Sequence, residues 1–228
     1  MAATVPVVAV DGPSGVGKGM VTRELRARLQ GWHLLDSGAL YRLLALAAHQ
    51  SGLDLTNAVA IVALTHKLQI EFMEDERKQE LIVLNGVNVT REVRSEAIGG
   101  LASLIAVLPE IRKALFERQL VFRQPPGLIA DGRDMGTIVF PDAILKIFLE
   151  ASAEERAQRR YLQLRESDIN ANLDRIRVEI LRRDERDRGR AVAPLVPAKD
   201  AVTIDTTSLA PAAVLAKVDA LLKSRGLI

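Results

Sequence analysis

Lys18 is the residue of this chain most plainly placed for chemistry. It stands in Gly12-Pro13-Ser14-Gly15-Val16-Gly17-Lys18-Gly19, directly after the β-branched run Val5-Pro6-Val7-Val8-Ala9-Val10-Asp11. Glycines without Cβ let successive backbone N–H groups turn toward an anion. The N-terminus of the helix that follows adds the positive end of its dipole, and Lys18 can reach the terminal phosphates of a nucleotide. Val21, Leu25 and Leu29 recur at the spacing of one helical face, so the order is strand, loop, helix. The pattern G-x-x-x-x-G-K-[ST] is met except at its last position. Gly19 and then Met20 stand where a hydroxyl ligand for Mg²⁺ is expected.

A second candidate is Asp131. It closes the apolar run Leu128-Ile129-Ala130 and is followed by Gly132-Arg133-Asp134. An acid at a strand's carboxyl end can hold Mg²⁺ directly or through water, or it can be an ordinary turn residue. Ser37 and Arg42 open a helix from about 39 to 49. Ser37 reads as a cap, Arg42 as a surface cation, and the two together as a site for a second anion. Later come Arg156, Arg159 and Arg160 on one helical face. Arg183, Asp187 and, if the helix extends, Arg190 fall on one face of a helix from 173 to about 188, in which Ile176, Ile180 and Leu181 point inward. On composition alone, both helices are exposed and arginine-rich, with internal ion pairs.

The elements that must position these groups alternate strand and helix. Strands are expected at 5–11, 32–35, 128–131, 144–149 and 201–205. Ser152 and Glu155 form the pattern of a capping box. A helix is expected from 57 to about 67. Then the period changes to two at Leu68, Ile70 and Phe72. Leu81–Leu84 and Val87–Thr90 flank Asn85-Gly86, a hairpin signal, with a charged turn between 74 and 80. Helices return over 95–107 and from Pro109 to about 124; Ser103 and Arg112 lie there without a motif of their own. A last helix is expected over 212–223.

Composition narrows the class. With 228 residues and 48% apolar content, the chain can bury a sizeable α/β core. It has no cysteine, so disulfides and thiolate metal sites are excluded. No export signal or membrane-spanning run is read, which points to the cytoplasm. A net charge of only +2, with arginines interleaved among acids and 4% aromatics, argues against a nucleic-acid stripe.

Four separated stretches resemble one family. The loop at 12–19 resembles the nucleoside monophosphate kinases broadly. Leu35-Asp36-Ser37-Gly38-Ala39-Leu40-Tyr41-Arg42, Ile129 through Thr137, and Arg183 through Leu195 are similar to bacterial cytidylate kinases. The resemblance covers nearly the whole chain. It implies a P-loop kinase of α/β class, with a parallel central sheet flanked by helices, a small antiparallel insert and a helical lid. Residues 1–228 would form one domain, with 68–95 as the monophosphate-binding insert and 152–190 as the lid region. It implies transfer of the γ-phosphoryl group of ATP to CMP or dCMP with Mg²⁺, by a monomer without nucleic-acid or membrane partners. Lys18, Arg133 and Arg159 would be catalytic. Gly12 through Met20, Arg156 and Arg160 would hold ATP. Arg42, Arg133 and Arg190 would grip the acceptor phosphate, with Ser37 beside them. Ser103, Arg112 and Asp134 would read cytosine, and Arg183 and Asp187 the pentose. Met20 departs from the family's threonine and puts direct hydroxyl ligation of the metal in doubt. The rival readings are a P-loop kinase with another small acceptor, a GTP-dependent switch lacking its Asn-Lys signature, and a nucleic-acid module using residues 182–190.

Overall fold

The computed structural model describes residues 4–74, 80–166 and 171–228. The elements run β1 (Val7–Asp11), α1 (Lys18–Arg28), β2 (His33–Asp36), α2 (Ser37–Gln50), α3 (Ala58–Thr65), β3 (Ile70–Glu74), β4 (Glu80–Leu84), β5 (Val87–Asn88), α4 (Thr90–Val93), α5 (Glu96–Ile105) and α6 (Pro109–Leu120). They continue with β6 (Leu128–Gly132), a π-helical turn (Met135–Val139), β7 (Leu145–Glu150), α7 (Ala153–Glu166), α8 (Leu173–Arg188), β8 (Val202–Asp205) and α9 (Pro211–Ser224). The chain divides into two compact units, one of residues 1–36 and 119–228, the other of residues 37–118.

The first unit is built on a parallel sheet of order β2-β6-β1-β7-β8. β1 lies at its centre, and every residue of Val7–Asp11 is buried, as befits a parallel strand covered on both faces. The edge strands β2 and β8 are only partly buried and less apolar. Val21 and Leu25 of α1 and Val214, Val218 and Leu222 of α9 pack with Val8, Val10, Ile147 and Leu149 into one core.

The second unit has its own core around α2. Leu40, Leu43, Leu44, Ala45, Leu46, Ala47 and Ala48 are all buried, so this helix is apolar nearly all round and sits centrally. The three-stranded antiparallel sheet β3-β4-β5 turns at Asn85 and Gly86, whose φ values of 50° and 80° are those of the hairpin turn expected there. Asn85 braces the hairpin by exchanging hydrogen bonds with the Gln69 backbone. Of the charged turn expected over 74–80, Glu74 ends β3 and Glu80 opens β4, and 75–79 lie outside the described residues.

Three local expectations are corrected. Thr90 does not extend the hairpin strand; it opens α4, and its hydroxyl accepts the Ile82 amide at 2.9 Å. Ser37 is the first residue of α2 and lies inside the helix. Ser152 does cap α7, taking the Glu155 amide at 3.1 Å, but the reciprocal half of the box is absent among the described contacts. The Ser152 amide already donates to Thr207, and Glu155 pairs with Arg159 instead.

Candidate active site

β1 delivers the chain into a loop that only glycine can follow at its two ends. At Gly12, with φ of 147°, a Cβ would stand 2.2 Å from the Leu149 carbonyl oxygen. At Gly17 the left-handed backbone, φ 97°, starts α1. The first turn of α1 carries no acidic residue, so its positive end is unopposed by a side chain of its own helix. Lys18 folds back over the loop, and its Nζ donates to the carbonyls of Gly12 at 3.0 Å and Pro13 at 2.9 Å. It also stands 3.9 Å from Asp131 Oδ1. Met20 packs against the sheet core.

The carboxyl ends of three neighbouring strands place Asp11, Asp36 and Asp131 together. Asp36 and Asp131 are direct partners in the β2–β6 register, and Asp11 pairs with Gly132. Burial dominates the electrostatics of Asp11 and Asp131. It pushes Asp131 up to about 7 despite Lys18, and Asp11 up to about 6 despite two backbone hydrogen bonds. Burial and the Arg133 charge pull Lys18 down to about 8, against the three carboxylates. One lysine thus faces three carboxylates beside the loop, and an incoming phosphate would favour its charged form.

Beyond β6 the same unit assembles a second cluster of cations. Asp187 of α8 accepts Arg133 Nε at 3.0 Å on one oxygen and Arg190 on the other. Two guanidinium groups share one carboxylate, and the trio keeps a net positive charge. Burial works against the charge on Arg133, but Asp187 and Asp131 outweigh it and hold its pKa above the ordinary value. Arg183 Nε reaches Glu179 at 3.2 Å on the same helix.

The expectation of exposed arginine helices with internal ion pairs holds on their outer faces but fails on their inner ones. Arg156, Arg183, Asp184, Asp187 and Arg190 are all buried, while Leu181, expected inward, is 47% exposed. The inner face of α8 is an ionic stripe: Ile180 begins it, and Arg183, Asp184 and Asp187 continue it. Arg156 is the most deeply placed. Its guanidinium spans both carboxylate oxygens of Asp184, the Ala151 carbonyl at 3.0 Å and the Ser14 carbonyl of the phosphate loop at 3.2 Å. Arg159 lies along the β8–α9 connection, donating to the Thr206 carbonyl and hydroxyl. Thr206 in turn donates to the Val16 carbonyl at 3.2 Å. Arg160 is set beside Gln163.

The remaining candidates belong to the second unit. Ser37 is buried at the start of α2. Arg42 Nη1 donates to the carbonyls of Val93 at 2.8 Å and Ser95 at 2.9 Å, at the join of α4 and α5. Arg112 is buried, donates to the Ala106 carbonyl at 3.3 Å, and lies 5.7 Å over the Tyr41 ring. Ser103 Oγ is shielded from solvent and has no partner among the described residues, a group suited to a ligand.

Sequence reasoning overlooked Asp11, Asp36, Asp184 and Thr206. Asp11 and Asp36 carry the strand-end signal that marked Asp131. Asp184 was hidden among the many charges of its helix, and Thr206 carried no motif.

Among the described residues, no group of three His, Cys, Asp or Glu side chains could hold a metal ion by itself. No described helix is long and apolar enough to cross a membrane.

Comparison with known proteins gives one consistent result. The model of the cytidylate kinase family matches residues 8–224. A cytidylate kinase of Proteus mirabilis is 56% identical over 209 residues, covering 92% of each chain. One from Serratia proteamaculans is 54% identical over 209 residues, covering 92% of this chain and 90% of that one. One from Pseudomonas entomophila is 53% identical over 229 residues and covers both chains fully.

Proposed function

The chain belongs to the cytidylate kinase family and transfers the γ-phosphoryl group of ATP to CMP or dCMP; we propose that Lys18 and the Asp187-bound arginines divide that work between donor and acceptor. The observation that carries this reading is a lysine folded over the phosphate loop and, beyond β6, a separate net-positive cluster of arginines. Lys18 sits on the loop carbonyls, and Arg133 and Arg190 share Asp187. Phosphoryl transfer through a loose transition state needs little covalent help from the protein. It needs the reacting groups held in line and their charge compensated.

On this reading, residues 12–20 hold the donor phosphates, and Lys18 leaves its carbonyl partners for the charge that develops on the transferred group. Arg156 serves the donor site by holding the Ser14 carbonyl, and Arg159 and Arg160 lie in the lid region, 152–190. Arg133 acts on the phosphoryl group in transit, and Arg159 joins it from the lid. Arg42, Arg133 and Arg190 take the acceptor phosphate, with Ser37 at its side. Arg183 and Asp187 take the pentose. Ser103, Arg112 and Asp134 read cytosine, whose amine donates and whose ring nitrogen and carbonyl accept. Residues 68–95 form the acceptor-side insert.

The donor set fits Mg²⁺ in one way. Asp131 would hold the ion, directly or through water, beside Lys18, with phosphate and water as its remaining partners. There it would neutralise charge on the phosphate oxygens. Met20, packed against the sheet core, supplies no ligand. The enzyme is read as a cytoplasmic monomer. A coupled ADP-release assay with CMP, dCMP, UMP and AMP offered separately tests the acceptor assignment. CMP and dCMP should be strongly preferred, and equal turnover of UMP or AMP would overturn the base-reading roles.

A further inference from the structure

Asp11 lies between the donor loop and the acceptor-reading segment, and no role above uses it. It is 5% exposed and is the last residue of β1, immediately before Gly12. Its Oδ1 accepts the Met135 amide and its Oδ2 the Gly136 amide, each at 2.8 Å. Two consecutive backbone N–H groups thus close on one carboxylate, a short, charge-assisted arrangement. Those amides open the π-helical turn that directly follows Arg133 and Asp134. The Asp134 carbonyl carries the turn onward by accepting the Ile138 and Val139 amides at 2.9 and 3.2 Å. Gly136 is part of the fit: a Cβ there would stand 3.1 Å from the Lys146 side chain and 3.4 Å from Asp11 Oδ2.

We infer that Asp11 is a positioning residue for the acceptor: by gripping the amides of Met135 and Gly136 it sets Arg133 and Asp134 in register with the phosphate loop. The inference rests on the reading that Arg133 and Asp134 meet the acceptor. The donor loop has independent support, because Lys18 bonds two of its carbonyls and Arg156 a third. Losing the Asp11 carboxylate therefore falls mainly on the acceptor.

The test is Asp11→Asn. Its amide can accept one of the two N–H groups but presents its own donor to the other. KM for CMP should rise about tenfold and the CMP/UMP ratio of kcat/KM should fall, with KM for ATP within about twofold of normal. Asp11→Ser keeps one acceptor and should fall between the two proteins, which covers the case in which the asparagine variant does not fold. In the unaltered protein, CMP should slow hydrogen exchange at the Met135 and Gly136 amides more than a non-hydrolysable ATP analogue does. The inference is overturned if KM for CMP and the CMP/UMP ratio match those of the unaltered protein. It is also overturned if CMP and ATP lose affinity alike, or if the ATP analogue protects the two amides more than CMP. Asp134→Asn separates the premise from the inference: an unchanged CMP/UMP ratio in that variant removes Asp134 from base reading whatever Asp11 does.

Discussion

The Arg156–Asp184 pair should prove to be the ionic contact on which the first unit most depends. Arg156 is 2% and Asp184 8% exposed, and the guanidinium engages both carboxylate oxygens and two further groups of backbone carbonyls. Asp184→Asn leaves the guanidinium buried and uncompensated. Breaking such a pair from one side typically costs about 3–5 kcal/mol. For a chain of this size, each kcal/mol moves Tm by roughly 2–4 °C, so the variant should melt roughly 6–20 °C lower. Arg156→Met costs a similar amount and also frees the Ser14 carbonyl, so KM for ATP should rise with it. The double variant Arg156→Met/Asp184→Leu removes both charges and should recover much of the loss, because buried ion pairs are often no better than apolar pairs of similar volume. Urea unfolding of the unaltered protein, Arg156→Met, Asp184→Leu and the double variant forms a double-mutant cycle that reads the coupling directly. A loss below about 1 kcal/mol for Asp184→Asn would refute the reasoning, since that is the range of an exposed pair. So would a double variant no more stable than either single one.

Other outcomes follow from the same geometry. Lys18→Ala should nearly abolish phosphoryl transfer while leaving the circular dichroism spectrum unchanged; near-normal turnover with CMP would dismiss the donor-site assignment. Met20→Thr should lower Tm without shifting the Mg²⁺ dependence of activity, because its side chain packs against the sheet core; a shifted Mg²⁺ titration would place the hydroxyl in the metal's surroundings. Asp134→Asn should narrow the CMP/UMP preference by about ten- to two-hundredfold, as a buried carboxylate facing the UMP carbonyl leaves two acceptors opposed. Equal slowing of both acceptors would reduce Asp134 to a turn residue. Asp11, raised by burial from 3.8 to about 6, favours the folded state below pH 4, and that contribution is lost as pH rises through 6. The free energy of unfolding of the unaltered protein should therefore fall relative to Asp11→Asn between pH 4 and 6, and a constant difference would show that the group is not perturbed.

The legible parts of this protein were those written in local patterns. The loop at 12–19, the Asn85-Gly86 turn and the buried strands each announce themselves by residue type and period. What the pattern did not carry was partnership over distance. Arg156 and Asp184 are 28 residues apart, and Arg133 and Asp187 are 54 apart. Each reads as a solvated charge until α7, α8 and β6 are brought together. Leu181 was misplaced for the same reason. A helix is usually oriented by its apolar residues, but α8 turns its charged face inward because that face meets other charges. Glu155 failed as a capping partner because Thr207, more than fifty residues later, had already taken the Ser152 amide.

The order of the parallel sheet bears on how the chain can be assembled as it is made. β1 and β2, the first two strands to emerge, share no ladder; β6 lies between them and bonds to both. Neither can complete its backbone pairing until residues 128–132 exist. By then the whole of residues 37–118, with a core of its own, has been synthesised. Closing so long a loop by chance alone would cost about 4 kcal/mol of chain entropy. The segment that ends in the phosphate loop is thus an early-made, late-paired strand, apolar on both faces while it waits. The protein's most diagnostic sequence is also the stretch most in need of protection during synthesis.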